Sequence, residues 1–191
     1  FSSYLLKIRQ AEPDVVALNL AGTQITNFFK QYSEFGLDFT VGGFGFDTVA
    51  AWAAGAQNFR GTWPNVWNHL VPNDASQAFV KTFTDEYGKP PENQAWGDYN
   101  AGLIMAKAVT EAGDASGDAL VAYLESPEAQ FDLMKNRKGY FRPTDHQLIQ
   151  EIYAITALPA SEVQNEYDIF TTSDPLPGAD EPLEALAQSV T

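Results

Sequence analysis

The chain has 191 residues, with 11 basic and 25 acidic side chains, and its formal net charge is −14. A protein this acidic repels nucleic-acid phosphates and anionic membranes, and no stretch concentrates Lys or Arg, so the composition argues against both partners. Cysteine is absent, which excludes disulfides, a thiol nucleophile and thiolate metal ligands. The apolar stretches are far shorter than the roughly 20 residues that cross a bilayer, so no membrane insertion is expected.

The first ninety residues alternate between helix and strand periodicity. Short apolar runs predict strands at 14–20, 39–43 and 59–63. Helices are predicted to start at Phe1, after caps at Thr23 and at Asp47-Thr48, and at Asn73 or Asp74. This alternation predicts βαβ units, and therefore an α/β fold with a parallel sheet.

The pattern changes after Pro90-Pro91. We expect a long helix at 93–112, a second helix capped by 116–118, and strands at 139–142 and 148–158. Prolines preclude continuous regular structure after Pro159. Three parallel strands leave a sheet edge uncovered, so either 91–160 covers it or the chain is a fragment. A helix that begins at the apolar Phe1 favours the fragment.

Ligands of open α/β sheets bind beyond the carboxyl ends of the strands. The corresponding loops are 19–23, 43–48 and 62–68, which are rich in glycine or aromatic residues. Their glycines either allow tight turns or leave backbone N–H groups free to hold a small anion. The loop at 42–47 lacks the G-x-G-x-x-G spacing of dinucleotide sites, and no Gly-Lys-Ser/Thr follows a glycine loop, so no nucleotide cofactor is expected.

The polar residues do not indicate catalysis. His69 and His146 lack partners at metal-ligand spacing, which predicts hydrogen-bonded or surface roles and no metal site. No G-x-S-x-G elbow is present, and the carboxylates are scattered over helix surfaces. Two aromatic features remain. Phe44 and Phe46 fall in a strand-to-helix loop and could wall a pocket for an apolar side chain or ring, whereas 63–67 could do the same or pack between lobes.

Several stretches together resemble one known family. They are 1–9 followed by 13–16, then 28–37, 87–91, 99–109 and, most specifically, 139–147 with its Arg-x-x-Asp-His-Gln pattern. In this order they resemble the C-terminal part of a periplasmic substrate-binding protein. The family is the branched-chain amino acid (Leu/Ile/Val-binding-like) type that serves ABC transporters, and the resemblance covers essentially the whole chain.

The resemblance implies the parallel-sheet, three-layer lobes of a type I periplasmic binding protein, without their N-terminal half. Residues 1–91 would form an α/β portion of the second lobe, and 92–158 would supply helices and strands of the first lobe and the hinge. Residues 159–191 would return to the second lobe as a tail. The protein would be exported to the periplasm, with its leader not present in this chain.

The resemblance also implies ligand-binding residues, by position within the family's loops. They are Asn19, Ala21, Gly22 and Thr23 in the first loop, Gly45, Phe46 and Asp47 in the second, and Trp96 and Tyr99 near the hinge. Family members often offer the ligand's ammonium group an acidic residue in the second loop. Here Asp47 is the nearest acid, and Gly45 or Phe46 takes the family's position. This departure speaks against a simple amino acid and leaves room for an aromatic acid or amide.

The implied function is a receptor whose two lobes close around a small molecule (an amino acid, aromatic acid or amide) and present it to an ABC transporter permease. No bond is made or broken, and no cofactor is involved. The alternative is a cytosolic amide- or amino-acid-responsive sensor or regulator on the same fold, because fold does not fix function. A third reading is a fragment that binds no ligand.

Overall fold

The structure is a computed structural model in which residues 1–184 are described. The helices are α1 Ser2–Ala11, α2 Thr23–Glu34, α3 Thr48–Ala54, α4 Asp74–Tyr87, α5 Asn93–Ala112 and α6 Gly117–Leu124. The strands are β1 Val15–Leu18, β2 Thr40–Gly43, β3 Thr62–Asn65, β4 Tyr140–Arg142, β5 Gln147–Ile149, β6 Tyr153–Ala157 and β7 Phe170–Thr172.

The chain forms two compact units. The first unit is Phe1–Leu70 with Tyr153–Asp174. The second unit is Val71–Ile152 with Pro175–Thr191, whose last seven residues lie outside the described part. The assignment of residues to the lobes of a whole receptor, with boundaries at 91/92 and 158/159, stays a prediction.

The first unit is built on a five-stranded sheet in the order β1-β2-β3-β6-β7. Strands β1, β2 and β3 are parallel, as predicted, and the register of the first pair runs from Val15 opposite Thr40 to Leu18 opposite Gly43. Strands β6 and β7 are antiparallel, with Tyr153 opposite Asn65 at the end of β3. The carboxyl ends of β1, β2 and β3 therefore lie at one edge of the sheet, together with the amino end of β6.

Helices α2 and α3 bury apolar faces against each other and the sheet. Ile25, Phe28, Phe29 and Tyr32 of α2 are buried at the three- and four-residue spacing of a helix face. The Phe29 ring packs edge-to-face against Trp63, with centroids 5.9 Å apart. Burial of a side chain such as Phe29 contributes about 1.5–3 kcal/mol to stability, so this cluster anchors the sheet.

The second unit is centred on α5. The Glu92 carboxylate caps its start by accepting hydrogen bonds from the backbone N–H groups of Gln94 (2.6 Å) and Ala95 (3.0 Å). Gly113 ends it in a left-handed conformation at φ 65°. The buried residues Trp96, Asn100, Ile104 and Ala108 recur every four positions and form one face of the helix.

The Arg-x-x-Asp-His-Gln pattern closes the β4–β5 hairpin. The guanidinium of Arg142 donates to both carboxylate oxygens of Asp145, at 2.9 and 2.6 Å, and to the Gln147 side chain at 3.2 Å. His146 occupies the turn at φ 60°, and its Nδ1 is hydrogen bonded to Glu125 after α6. This motif of the resemblance therefore has a structural role, because it fixes the turn and ties it to a neighbouring helix.

A buried charged cluster lies beside the hairpin. The Lys135 ammonium donates to the Gln150 side chain (2.7 Å) and to the Glu151 carbonyl (2.6 Å). The Glu151 carboxylate accepts from the Asn136 N–H (3.0 Å) and from the Arg137 N–H and Nε. Burial lowers the pKa of Lys135 to about 7, against the opposing attraction of Glu151.

The structure corrects part of the C-terminal prediction. The prediction of a single strand over 148–158 is wrong, because this segment contains parts of two strands with different partners. Strand β5 pairs with β4, and β6 pairs with β3. Strand β7 was missed, and the strand expected at 59–63 is displaced to Thr62–Asn65. Within residues 1–184, no helix is both long and apolar enough to span a membrane.

Candidate ligand-binding site

Two of the predicted ligand loops follow adjacent parallel strands at the same edge of the first unit's sheet. Asn19, Ala21, Gly22 and Thr23 follow β1, and all four are exposed. Gly45, Phe46 and Asp47 follow β2. The structure thus brings seven of the nine predicted residues to one edge, as expected for open α/β sheets.

The first loop ends in a helix start that suits a negatively charged group. Gly22 precedes α2 at φ 53°, a conformation that favours glycine, and no side chain caps the helix. The amino end of a helix carries a partial positive charge. The N–H groups of Gln24 and Ile25 already donate to the Ala21 and Gly22 carbonyls, at 3.2 and 3.1 Å. A carboxylate near Gly22 and Thr23 would be stabilised by this partial charge.

In the second loop, the two phenylalanines point to opposite environments. Phe46 is partly buried, and its ring lies 5.5 Å from the Phe59 ring and 5.6 Å from the Phe170 ring. Phe44 is 77% exposed. The crevice beside Phe46 has an empty volume of about 170 Å³ and does not admit a water molecule. Phe46 therefore belongs mainly to the apolar core, whereas Phe44 offers a free aromatic surface.

The predicted role of Asp47 as a helix cap is confirmed. Its Oδ1 accepts a hydrogen bond from the backbone N–H of Ala50 at 3.0 Å, at the first turn of α3. The cap satisfies a backbone donor that the helix leaves unpaired. One oxygen of the single carboxylate in this loop is thus engaged with its own helix.

The third loop is held by buried polar side chains that sequence reasoning missed. The Asn68 amide donates to Thr172 Oγ1 at 2.9 Å and to Asn65 Oδ1 at 3.3 Å, and its oxygen accepts from the Leu70 N–H at 3.0 Å. Trp63 and Trp67 are buried within this segment, which therefore packs in the interior. The available signal was Asn65, a polar residue at the end of an apolar strand.

His69 has the hydrogen-bonded role expected of it. Its Nε2 lies 2.9 Å from Asp168 Oδ1, in a pocket shared with the Trp52 and Phe170 rings. Burial lowers the pKa of His69, although the hydrogen bond to Asp168 opposes the shift. Within residues 1–184, no group of His, Asp and Glu side chains is arranged to hold a metal ion.

Trp96 and Tyr99 lie in the second unit. Trp96 is buried, donates from Nε1 to the Leu133 carbonyl at 3.1 Å, and carries the Lys135 ammonium 4.6 Å from its ring centre. Tyr99 is half exposed and packs on Phe79, with ring centres 4.9 Å apart. It lines an open groove of about 760 Å³ along α4 and α5. A ligand-binding role for these two residues stays a prediction.

The comparisons with known proteins decide the family. A family model described as "Periplasmic binding protein" matches residues 1–161. This chain belongs to the periplasmic binding protein family. The resemblance to the branched-chain amino acid type is confirmed, as is the α/β fold with lobes of the type I periplasmic binding protein. A comparison with curated protein sequences finds no match.

Solved structures of periplasmic binding proteins share this fold. A branched-chain amino acid ABC transporter periplasmic ligand-binding protein from Burkholderia xenovorans is 27% identical, with a TM-score of 0.75, and the match covers 92% of this chain and 47% of that one. A periplasmic binding protein from Burkholderia mallei is 24% identical, with a TM-score of 0.81 and coverage of 93% and 47%.

A third structure is the solute-binding protein of an ABC transporter from Rhodopseudomonas palustris, in complex with 3,4-dihydroxybenzoic acid. It is 22% identical to this chain, with a TM-score of 0.71, and the match covers 92% of this chain and 47% of that protein. The present chain thus spans about half the length of these three binding proteins.

Proposed function

We propose that this periplasmic binding protein is the solute receptor of an ABC importer, and that it works in the periplasm. Its ligand is a small amino acid or a related carboxylate or amide, which it delivers to the permease. The observation that supports this most directly is the family match over residues 1–161. The first unit adds the expected geometry, because two exposed loops follow adjacent parallel strands at one sheet edge.

The chemistry of these loops suits binding without reaction. The uncapped start of α2 stabilises a carboxylate, Thr23 and Asn19 offer hydrogen bonds, and Phe44 offers an apolar surface. Contacts of this kind orient a ligand and leave its covalent bonds unchanged. We therefore propose that the protein is not an enzyme, and that binding energy shifts the whole receptor toward a closed form that the permease recognises.

A thermal-shift assay tests the proposal on the protein expressed from its complete coding sequence. The panel contains leucine, valine, phenylalanine, benzoate, 3,4-dihydroxybenzoate and acetamide. A ligand present at 100 times its Kd stabilises the folded state by about 2.7 kcal/mol, which raises Tm by several degrees. We expect one chemical class in the panel to do so.

Two tryptophan variants locate the binding. Ala21→Trp fills the exposed loop after β1 and should abolish the shift in Tm. Ala11→Trp adds the same side chain at the exposed end of α1, which precedes the amino end of β1, and should preserve the shift. A shift that survives Ala21→Trp would contradict binding at the loop after β1. If neither these compounds nor any other small carboxylate or amide binds, the receptor function is contradicted.

A further inference from the structure

We propose that the first unit recognises an aromatic ring rather than an ammonium group, with Phe44 as the residue that contacts the ring. The ligand is then an aromatic carboxylate or amide without an α-ammonium group. This inference rests on the proposed function, and it narrows the substrate class of the same site. Three observations on the first unit carry it: the distribution of charge, the exposure of Phe44 and the open space at Gly45.

The first observation is the scarcity of negative charge at the strand ends. The residues that follow β1, β2 and β3, at 19–22, 44–47 and 66–70, include a single carboxylate, that of Asp47. Its Oδ1 is hydrogen bonded to the first turn of α3, at 3.0 Å from the Ala50 nitrogen. An ammonium group that loses its water on binding needs a counter-charge or several acceptors. Among these residues, an ammonium group would find only the second oxygen of a carboxylate that already caps a helix.

The second observation is the exposure of an aromatic ring at the end of a strand. Phe44 follows β2 directly and is 77% exposed, whereas Phe46, two residues later, packs on Phe59 and Phe170. The core thus takes one ring of this loop and leaves the other in water. A ring that stacks on Phe44 would remove its apolar surface from water and gain the favourable geometry of an aromatic pair.

The third observation is that nothing within the first unit accounts for glycine at position 45. A Cβ built on Gly45 meets no atom within 4 Å, and its φ lies outside the left-handed region. By contrast, a Cβ at Gly43 would lie 2.4 Å from both the Leu18 carbonyl oxygen and the Trp63 ring. Gly43 is therefore required by packing, whereas Gly45 leaves open space beside Phe44 that a ligand ring can occupy.

Calorimetric titration with matched compounds tests the substrate class on the protein expressed from its complete coding sequence. Phenylalanine and 3-phenylpropionate differ only in the ammonium group, and 3-phenylpropionate and 4-methylpentanoate differ in the ring. We expect 3-phenylpropionate to bind at least tenfold more tightly than either of the others. Tighter binding of phenylalanine or of 4-methylpentanoate would overturn the inference.

Substitutions test the proposed roles of Phe44 and Gly45. Phe44→Ala should weaken 3-phenylpropionate binding at least tenfold, whereas Tyr4→Ala, which removes a similarly exposed ring on α1, should leave it unchanged. Gly45→Glu supplies the missing carboxylate and should shift the preference at least tenfold toward phenylalanine. Unchanged affinity in Phe44→Ala would overturn the role of Phe44.

The two proposals fail in different ways. If none of these three compounds binds but another member of the thermal-shift panel that lacks an aromatic ring does, the inference is wrong and the receptor function stands. If no compound of either set and no other small carboxylate or amide binds, the receptor function fails and the inference fails with it.

Discussion

The two units bury their interiors by different means. In the first unit the interior is centred on aromatic rings, with Phe29, Phe59 and Trp63 packed at the edge-to-face and stacked distances of aromatic pairs. The buried polar side chains Asn65, Asn68 and His69 lie at and beyond the end of β3. In the second unit a buried carboxylate, Glu151, and a buried ammonium, Lys135, occupy the interior beside the hairpin. The aromatic core depends on area removed from water, whereas the charged cluster depends on hydrogen-bond geometry.

This difference bears on how each unit responds to change. Apolar packing is nearly independent of pH, and its stability scales with the volume removed. A buried charge depends on every partner and on its protonation state, so loss of one group strands the rest. The aromatic core beneath the loops after β1 and β2 is therefore largely insensitive to pH. The Lys135 cluster of the second unit responds to pH, as does the buried His69 of the first unit.

The largest expected effect is loss of an aromatic ring from the first core. Phe29→Ala should lower the free energy of unfolding by about 3–5 kcal/mol, because a fully buried ring leaves a cavity that cannot collapse. The matched change Phe79→Ala, at a partly buried ring on α4, should cost about 1 kcal/mol. Urea denaturation followed by circular dichroism measures both losses in the free energy of unfolding. Equal losses would show that burial of the Phe29 ring does not determine its contribution to stability.

A somewhat smaller effect is expected from the buried carboxylate of the second unit. Glu151→Gln keeps the size of the side chain but removes the charge that faces Arg137 and two backbone N–H groups. We expect a loss of about 3 kcal/mol in the free energy of unfolding. The exposed Lys81–Asp85 pair provides the control, because Asp85→Asn should change stability by less than about 0.5 kcal/mol. Urea denaturation measures both changes. If Glu151→Gln lowered the free energy of unfolding no more than Asp85→Asn does, the buried carboxylate would not be needed for stability.

The smallest effect concerns pH. Burial holds the pKa of Lys135 at about 7, below the 10.5 of the unfolded chain, so the unfolded state binds more protons between these values. Stability should therefore rise with pH in that window, by roughly 2 kcal/mol from pH 7 to pH 9 from this residue alone. Lys135→Met should lack the increment. Unfolding curves of the wild-type protein and of Lys135→Met between pH 7 and pH 9 provide the measurement. If the stability of both rose equally with pH, Lys135 would not be the source of the pH dependence.

Sequence periodicity was sufficient to predict the helices and strands that bury a single face. The helix at 93–112 and the parallel pairing of the first three strands follow from spacing and from turn residues, and the structure confirms both. Periodicity failed at 148–158, where Gln150 and Glu151 turn to the Lys135 and Arg137 cluster and the chain changes strand partner. A contact with residues about fifteen positions away leaves no local pattern.

The candidate site was predictable in place but not in detail. The loops after β1 and β2 follow from the rule for open sheets, and both lie where the sequence placed them. The roles of Phe44 and Phe46 could not be separated, because a loop has no fixed period that assigns side chains to one face. Their separation depends on Phe59 and Phe170, of which the second lies more than a hundred residues away.

The contrast between Gly43 and Gly45 separates a position that packing fixes from one that packing leaves open. Any side chain at position 43 would push β2 away from β1 and from Trp63, and would displace the whole loop. Positions 44 and 45 lie one and two residues further on, and side chains there meet little of the protein itself. A combinatorial library confined to these two codons would therefore vary the surface of the proposed site while leaving the scaffold intact.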